Sequence, residues 1–257
     1  QPVSNPAGLA VRLCNRRTGI GADSLIIVEK SDKADAAMRF YNQDGTEVNM
    51  SGNGLRAVAK YLFDNNVNGI ADNHNPTEPT AEITVETQNG VKNLTIYKLN
   101  GKVSAVSVDM GNPEFAPEKL PTTLEAKDGK IVNVPLTVNG MNYDVTCLSV
   151  GNPHCVVFCG FVDKIDVARI GHLFENHRAF PSRVNAEFVR VVGRNELKVR
   201  TWERGNGETP ACGTGACAAA IAAVLNGYCP MNEDITVNVR GGKLSVKYTE
   251  DTVYLTG

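Results

Sequence analysis

The sequence has no long apolar run, no excess charge of one sign and no metal-finger spacing of cysteines, and each absence removes a class of function. Its apolar stretches, such as residues 25–28 and 217–225, fall well short of the roughly 20 residues that a membrane-spanning helix needs. With 26 Lys+Arg against 28 Asp+Glu, the formal net charge is −2, so no global field recruits nucleic acid or an anionic membrane. The seven cysteines (14, 147, 155, 159, 212, 217 and 229) form no CxxC pair and no histidine cluster accompanies them. This argues against a metal site and for reduced thiols in a cytoplasmic protein. The chain opens Gln1-Pro2-Val3-Ser4-Asn5, with neither an initiator Met nor a signal segment, and this start reads as truncated. What remains is an ordinary globular composition: 257 residues, 42% hydrophobic and 21% charged, with 24 Gly and 12 Pro. That length allows one large domain or two of about 100–150 residues.

The sequence repeats itself. Residues 38–57 match residues 199–218 in pattern, and Arg39, Glu47 and Ser51 correspond to Arg200, Glu208 and Cys212 at a constant offset of 161. The same offset carries the short run 24–28 onto 185–189, and both read as strands. Three collinear blocks at one offset imply two homologous halves. In each half a Gly-x-Gly turn opens a helix, expected over 54–65 and 215–226, the second nearly all Ala, Ile, Val and Leu and therefore buried all round. Strands are expected over 81–87, 91–99, 103–109, 134–138, 144–150, 155–159, 234–239 and 244–247, divided by Asn-Gly and Gly-Gly turns. The fold class is α+β: two pseudosymmetric domains, each a mostly antiparallel sheet wrapped round a central helix, with the site in the cleft between them. The expected domains are 1–112, to which a tail at 252–257 returns, and 113–251, divided near the Pro-rich stretch that begins at Asn112.

A small polar side chain precedes each Gly-x-Gly: Ser51 in one half and Cys212 in the other. Free N–H groups and the helix dipole at such a position bind an anion and favour a thiolate. Two such ends facing one another suit inversion of a stereocentre through a carbanion, which needs a base on one face, an acid on the other and N–H donors for the developing enolate. The plainer reading makes both residues simple helix caps. Phosphate binding is disfavoured, because no Lys follows either glycine pair. His154 stands at a turn before an apolar strand, where a structural hydrogen bond is the plain reading, and Glu203-Arg204 reads equally as a surface ion pair. Cys155, Cys159 and Cys217 read as small core residues.

Five ordered blocks identify a resemblance: residues 17–23, residues 42–47 running into 51–54, Gly151-Asn152-Pro153-His154, Arg183-Val184-Asn185, and Trp202-Glu203-Arg204-Gly205 running into 211–215. In these the sequence resembles the diaminopimelate epimerases, cofactor-independent isomerases that interconvert LL- and meso-diaminopimelate for lysine and cell-wall synthesis. The resemblance implies an amino-acid substrate, no cofactor, a cytoplasmic location and a homodimer. It makes Cys212 one of two catalytic cysteines, with His154 and Glu203 arranging protons around the thiols. The α-carboxylate would sit between the helix starts at Gly52-Asn53 and Gly213-Thr214. Asn42, Asn152, Asn185, Glu203 and Arg204 would read the distal amino-carboxylate end, Arg204 through a bidentate grip.

Ser51 stands where the family has its other catalytic cysteine. An alcohol is a far weaker acid than a thiol, so this reading expects a disabled or weakened enzyme. A deliberate substitution, a relative with altered chemistry and a weakly active epimerase all remain open at this level. A first strand with a Gly-x-Gly-Asn segment, usual in the family, has no counterpart in this sequence. The competing functions are a racemase or epimerase of another amino acid on the same fold, of proline-racemase, hydroxyproline-epimerase or phenazine-biosynthesis type, and a non-catalytic amino-acid-binding relative.

Overall fold

The computed structural model describes residues 3–49 and 51–257; Gln1 and Pro2 of the opening segment and Met50 of the first repeated block lie outside the described residues. The chain divides into two compact units, Gln1–Asp109 and Met110–Gly257. The first unit runs α1 (Pro6–Cys14), β1 (Ser24–Glu29), β2 (Ala36–Asn42), β3 (Glu47–Val48), α2 (Gly52–Asp64), β4 (Thr80–Thr87), β5 (Gly90–Leu99) and β6 (Lys102–Asp109). Its sheet has the order β1-β2-β4-β5-β6 with β3 added to β2, antiparallel throughout except where β2 meets β4. Leu55, Val58, Ala59, Leu62 and Phe63 recur at helical spacing and form the buried stripe of α2. That stripe packs on β2, β4, β5 and β6.

The second unit runs β7 (Ile131–Val138), β8 (Met141–Ser149), β9 (Pro153–Phe158), α3 (Val167–Glu175), β10 (Asn185–Gly193), β11 (Glu196–Glu203), β12 (Gly207–Thr209), α4 (Gly213–Leu225), β13 (Asp234–Val239), β14 (Gly242–Tyr248) and β15 (Val253–Thr256). Its strand order is β15-β14-β13-β11-β10-β9-β8-β7, with β12 on β11 and parallel pairing only at β9–β10 and β11–β13. The sheet curls round α4, which touches seven of these strands. Gly213 and residues 215–223 are buried, and their small side chains let strands approach from every side. Asn100-Gly101 and Asn139-Gly140 make the expected two-residue hairpins, all four with positive φ.

The repeat survives at the level of register. Leu25 pairs with Tyr41 as Ala186 pairs with Trp202, and Phe40 pairs with Val48 as Thr201 pairs with Thr209, each member displaced by 161. The same displacement maps α1 onto α3. Among the described residues each half therefore holds two α-helices, where the sequence pattern leads us to expect one. Both extra helices are nine residues long: α1 has only Ala10 and Cys14 buried, and the stripe of α3, Val167, Gly171, Phe174 and Glu175, is at helical spacing but half of it is a glycine and a carboxylate rather than apolar side chains. Their starts are nonetheless capped, by Asn5 ahead of Pro6 and by Asp166.

Gly171 brings α3 close against Trp202 of β11. A Cβ there would stand 2.5 Å from Trp202 Cγ and 2.6 Å from Trp202 Cβ, atoms near the root of the side chain that cannot swing away. Gly171→Ala is therefore expected to cost about 3 kcal/mol of stability, seen as a lowered urea midpoint. An unchanged midpoint would contradict this packing. Among the described residues, no helix is long and apolar enough to cross a membrane.

Candidate active site

Cys212 caps α4. Its backbone is extended (φ −116°, ψ 117°) and its Sγ accepts the Gly215 N–H at 3.3 Å, with Thr214 Oγ1 at 3.4 Å. The groups round this thiol belong to neighbouring strands of the second unit. His154, at the start of β9, is buried between Glu187, whose Oε1 lies 2.8 Å from Nδ1, and Asn152, whose Oδ1 lies 2.8 Å from Nε2. Asn185 opens the parallel neighbour β10 opposite His154; its amide donates to the Pro153 carbonyl at 3.0 Å and accepts the Arg204 N–H at 2.8 Å. Glu203, at the end of β11, accepts a very short hydrogen bond from Thr209. It forms no surface ion pair with Arg204, whose guanidinium instead meets the Ser182 carbonyl at 3.0 Å. Of the residues expected from sequence, His154, Asn152, Asn185, Glu203, Arg204, Cys212, Gly213 and Thr214 thus lie together in one unit.

Three residues to which the sequence pattern assigns no role hold this arrangement. Glu175 is buried at the end of α3, where it accepts from the Trp202 indole at 2.7 Å, the Gly205 N–H at 2.9 Å and Arg183 at 3.2 Å. It so fixes the turn that carries Glu203 and Arg204. Arg200 and Glu208 form a bidentate pair across β11 and β12 at 2.8 and 3.1 Å, four residues ahead of Cys212. In the sequence both are markers of the repeat.

The first unit repeats the frame with different furniture. Ser51 caps α2 with nearly the same backbone (φ −138°, ψ 116°), and its Oγ accepts the Gly54 N–H at 3.1 Å. Arg39 and Glu47 reproduce the bidentate pair at 2.8 and 3.2 Å. The hydrogen bonds from Arg39 hold the Glu47 carboxyl below its ordinary range, partly offset by desolvation. Gly52 is buried, Asn53 is exposed with Arg56 bonded to its Oδ1 at 2.9 Å, and Asn42 is tied to Thr46 at 3.0 Å. Phe40 packs where a Gly54 Cβ would go, at 3.1 Å; at Gly215 the corresponding neighbours are Glu187 Oε1 at 2.8 Å and Thr201 Oγ1 at 3.2 Å. The polar chain round Cys212 therefore has no counterpart here: the residue 161 before Glu187 is Ile26.

Burial pushes the Cys212 thiol well above its ordinary value; the charges of Glu203 and Glu187 push it further, and the bonds from Thr214 and Gly215 act the other way. At neutral pH the thiol is therefore in its protonated, proton-donating form. Because the fold holds this proton more tightly than the unfolded chain, the associated stability is complete below the ordinary thiol pKa of about 8.5 and is lost as pH rises above it. The rate of Cys212 alkylation by iodoacetamide, followed on its peptide by mass spectrometry, should still be climbing at about pH 10, where an ordinary thiol has levelled off. A plateau near an ordinary thiol pKa would contradict this electrostatic picture. Among the described residues, no group of three or more His, Cys, Asp or Glu is arranged to hold a metal ion.

Comparison with known proteins decides the family. The profile described as diaminopimelate epimerase matches residues 2–116 and 146–257. The chain belongs to the diaminopimelate epimerase family. A diaminopimelate epimerase of Agathobacter rectalis is 42% identical over 264 residues, covering 100% of this chain and 88% of that one. The diaminopimelate epimerase of Desulfovibrio desulfuricans is also 42% identical, over 99% of this chain and 87% of its own. Solved structures with the same fold include a probable proline racemase from Agrobacterium radiobacter (TM-score 0.67, 16% identity, 99% of this chain and 79% of that one). Another is a PhzF-family phenazine biosynthesis protein from Bacillus anthracis (TM-score 0.65, 15% identity, 100% and 86%). At such identities these last two show the fold alone. Membership of the diaminopimelate epimerase family makes the chain an isomerase of the kind that works without pyridoxal phosphate.

Proposed function

We propose that this chain interconverts LL- and meso-2,6-diaminopimelate by acid–base chemistry at the α-carbon, as a step in lysine and peptidoglycan precursor synthesis. The observation that carries this reading is the match, along the full chain at 42% identity, to proteins named diaminopimelate epimerase. The site supports it in kind: each half ends a strand pair at a helix start whose cap carries an oxygen or sulfur, and whose free N–H groups suit a carboxylate or developing enolate. Cys212, protonated at rest, delivers a proton in one direction and removes one in the other. Residue 51 takes the complementary part, and His154 and Glu203 arrange the protons. Gly52, Asn53, Gly213 and Thr214 receive the α-carboxylate, while Asn42, Asn152, Asn185, Glu203 and Arg204 recognise the distal amino-carboxylate end. We further propose that the protein is cytoplasmic and homodimeric, as the family resemblance implies.

Ser51 is the part of the proposal with a quantitative consequence. In the family pattern this position is a cysteine, and an alcohol there donates or accepts a proton poorly, so the chain turns over slowly. The functional reading is tested by incubating the chain in D2O with LL-diaminopimelate, meso-diaminopimelate, proline or hydroxyproline and following the α-proton signal by NMR. Loss of that signal from diaminopimelate alone is the expected result. Exchange on proline or hydroxyproline, with none on diaminopimelate, would overturn it.

A further inference from the structure

Glu187 is completely buried on β10, and nothing in the two-base reaction above employs it. Its Oε2 is buried without a hydrogen-bond partner among the described residues, so the carboxyl group spends its bonding capacity on one side, where Oε1 meets His154 Nδ1 at 2.8 Å. The same Oε1 is pressed against the first turn of α4, the helix that Cys212 caps: a Cβ on Gly215 would stand 2.8 Å from it. On the far side of the imidazole, Nε2 donates to Asn152 Oδ1 at 2.8 Å. Two atoms bearing lone pairs do not approach to 2.8 Å without a proton between them, so Nδ1 and Oε1 hold one in addition to the Nε2 proton.

The pair has two arrangements of that proton. When it passes from Oε1 to Nδ1, the O–H bond breaks and leaves its electrons on oxygen, the N–H bond forms from the nitrogen lone pair, and acid plus imidazole become carboxylate plus imidazolium. Both arrangements have zero net charge, which is what complete burial demands. Burial pushes the Glu187 carboxyl up, and the nearby Glu203 adds to this, while His154 opposes it. The remaining titratable groups coupled to Glu187 are the thiols of Cys212 and of Cys155 on β9.

We propose that Glu187 is a positioning residue of this half-site: by sharing one proton with His154 Nδ1 it keeps the buried pair neutral beside Cys212 and leaves that proton able to pass to the imidazole, which an amide at this position cannot supply. The inference rests on the reading of His154 and Cys212 as members of the epimerase site. A purely structural Glu187 would fill space against Gly215 and leave the proton on Nδ1 irrelevant.

The test uses the full chain labelled with 15N and long-range 1H–15N NMR of the imidazoles, His154 being assigned by its loss in His154→Gln. In the native chain Nδ1 should resonate in the protonated or shared range and Nε2 as a protonated nitrogen. In Glu187→Gln the amide becomes the donor, so Nδ1 should move to the unprotonated range while Nε2 stays put. An unprotonated Nδ1 in the native chain, or an Nδ1 shift unmoved by Glu187→Gln, would overturn the proposal; the first result does not depend on Glu187→Gln folding. In kinetics, Glu187→Gln should lower kcat for α-proton exchange about 10–100-fold with KM changed by no more than about twofold. The pH profile of kcat should shift as well, and Glu187→Asp should recover part of the rate. A lowered urea midpoint with kcat and its pH profile unmoved would mean a structural role and refute the proposal. Absence of diaminopimelate exchange in every version would count against the functional reading, and the Nδ1 resonance would still decide where the proton lies.

Discussion

Cys212→Ser is expected to lower the rate of α-proton exchange on diaminopimelate by roughly 10³-fold while leaving the fold intact, the size of loss that follows removal of a positioned acid–base group. The two halves of that statement have separate causes. Serine is among the best N-cap residues, and at Ser51 it already makes the same bond to the N–H three residues on, so Cys212→Ser keeps α4 capped and should stay within about 1 kcal/mol of the native stability. The chemistry, by contrast, depends on the acidity of the group. The Cys212 thiol is already pushed up by burial and by the nearby Glu203 and Glu187, and an alcohol, a far weaker acid, would release its proton in that environment too rarely to act on the timescale of turnover. Initial rates of deuterium wash-in, set beside urea midpoints, separate the two effects. Native-like rates in Cys212→Ser would remove Cys212 from the reaction.

Ser51→Cys is expected to raise the exchange rate by about 100-fold or more, the lower end of what a competent acid–base group contributes. The first unit is already shaped for a thiol. Ser51 and Cys212 have extended backbones with nearly the same ψ, and their cap bonds to Gly54 and Gly215 differ by 0.2 Å, 3.1 against 3.3 Å, a difference in line with the larger sulfur. The electrostatics differ between the halves. Against Gly54 lies Phe40 where Gly215 meets Thr201 and the Glu187 carboxyl, and Ile26 stands in the repeat position of Glu187. A thiol introduced by Ser51→Cys would thus lack that carboxylate's upward push and would be the more acidic of the two. A rate unchanged by Ser51→Cys would show that residue 51 does not limit proton transfer.

How much of this was legible in the sequence follows from what repeats and what does not. Ser51 and Cys212 could be found because a constant offset of 161 links two loops of the same grammar, and the register of both strand pairs obeys the same number. The hairpins could be read because Asn-Gly at positive φ is a local demand. Glu187 was missed because the run 185–189 reads as an apolar strand. Along β10, Ala186 and Phe188 enter the core with Phe174 of α3, so strand alternation sends Glu187 to the opposite face, towards α4. One carboxylate inside an otherwise apolar strand was the available signal. Glu175 left a fainter one, since its partners Trp202, Gly205 and Arg183 come from distant segments that only the tertiary fold assembles. His154 looked like a structural hydrogen-bonder at a turn; it is indeed hydrogen-bonded, but to a buried acid beside the thiol, which no local pattern could reveal.

The central claim, that two groups of opposite function act on one α-carbon, is tested most directly by the isotopic fate of substrate and product in the same D2O reaction. LL- and meso-diaminopimelate would be supplied separately to the native and Ser51→Cys chains, and both stereoisomers recovered at low conversion. With two bases, product receives deuterium from the solvent-equilibrated acid, while any return to substrate restores the original protium. The account therefore predicts deuterated product and protiated recovered substrate, in both directions. Deuterium appearing in recovered substrate as fast as in product would mean that a single group removes and returns the proton, and would contradict it.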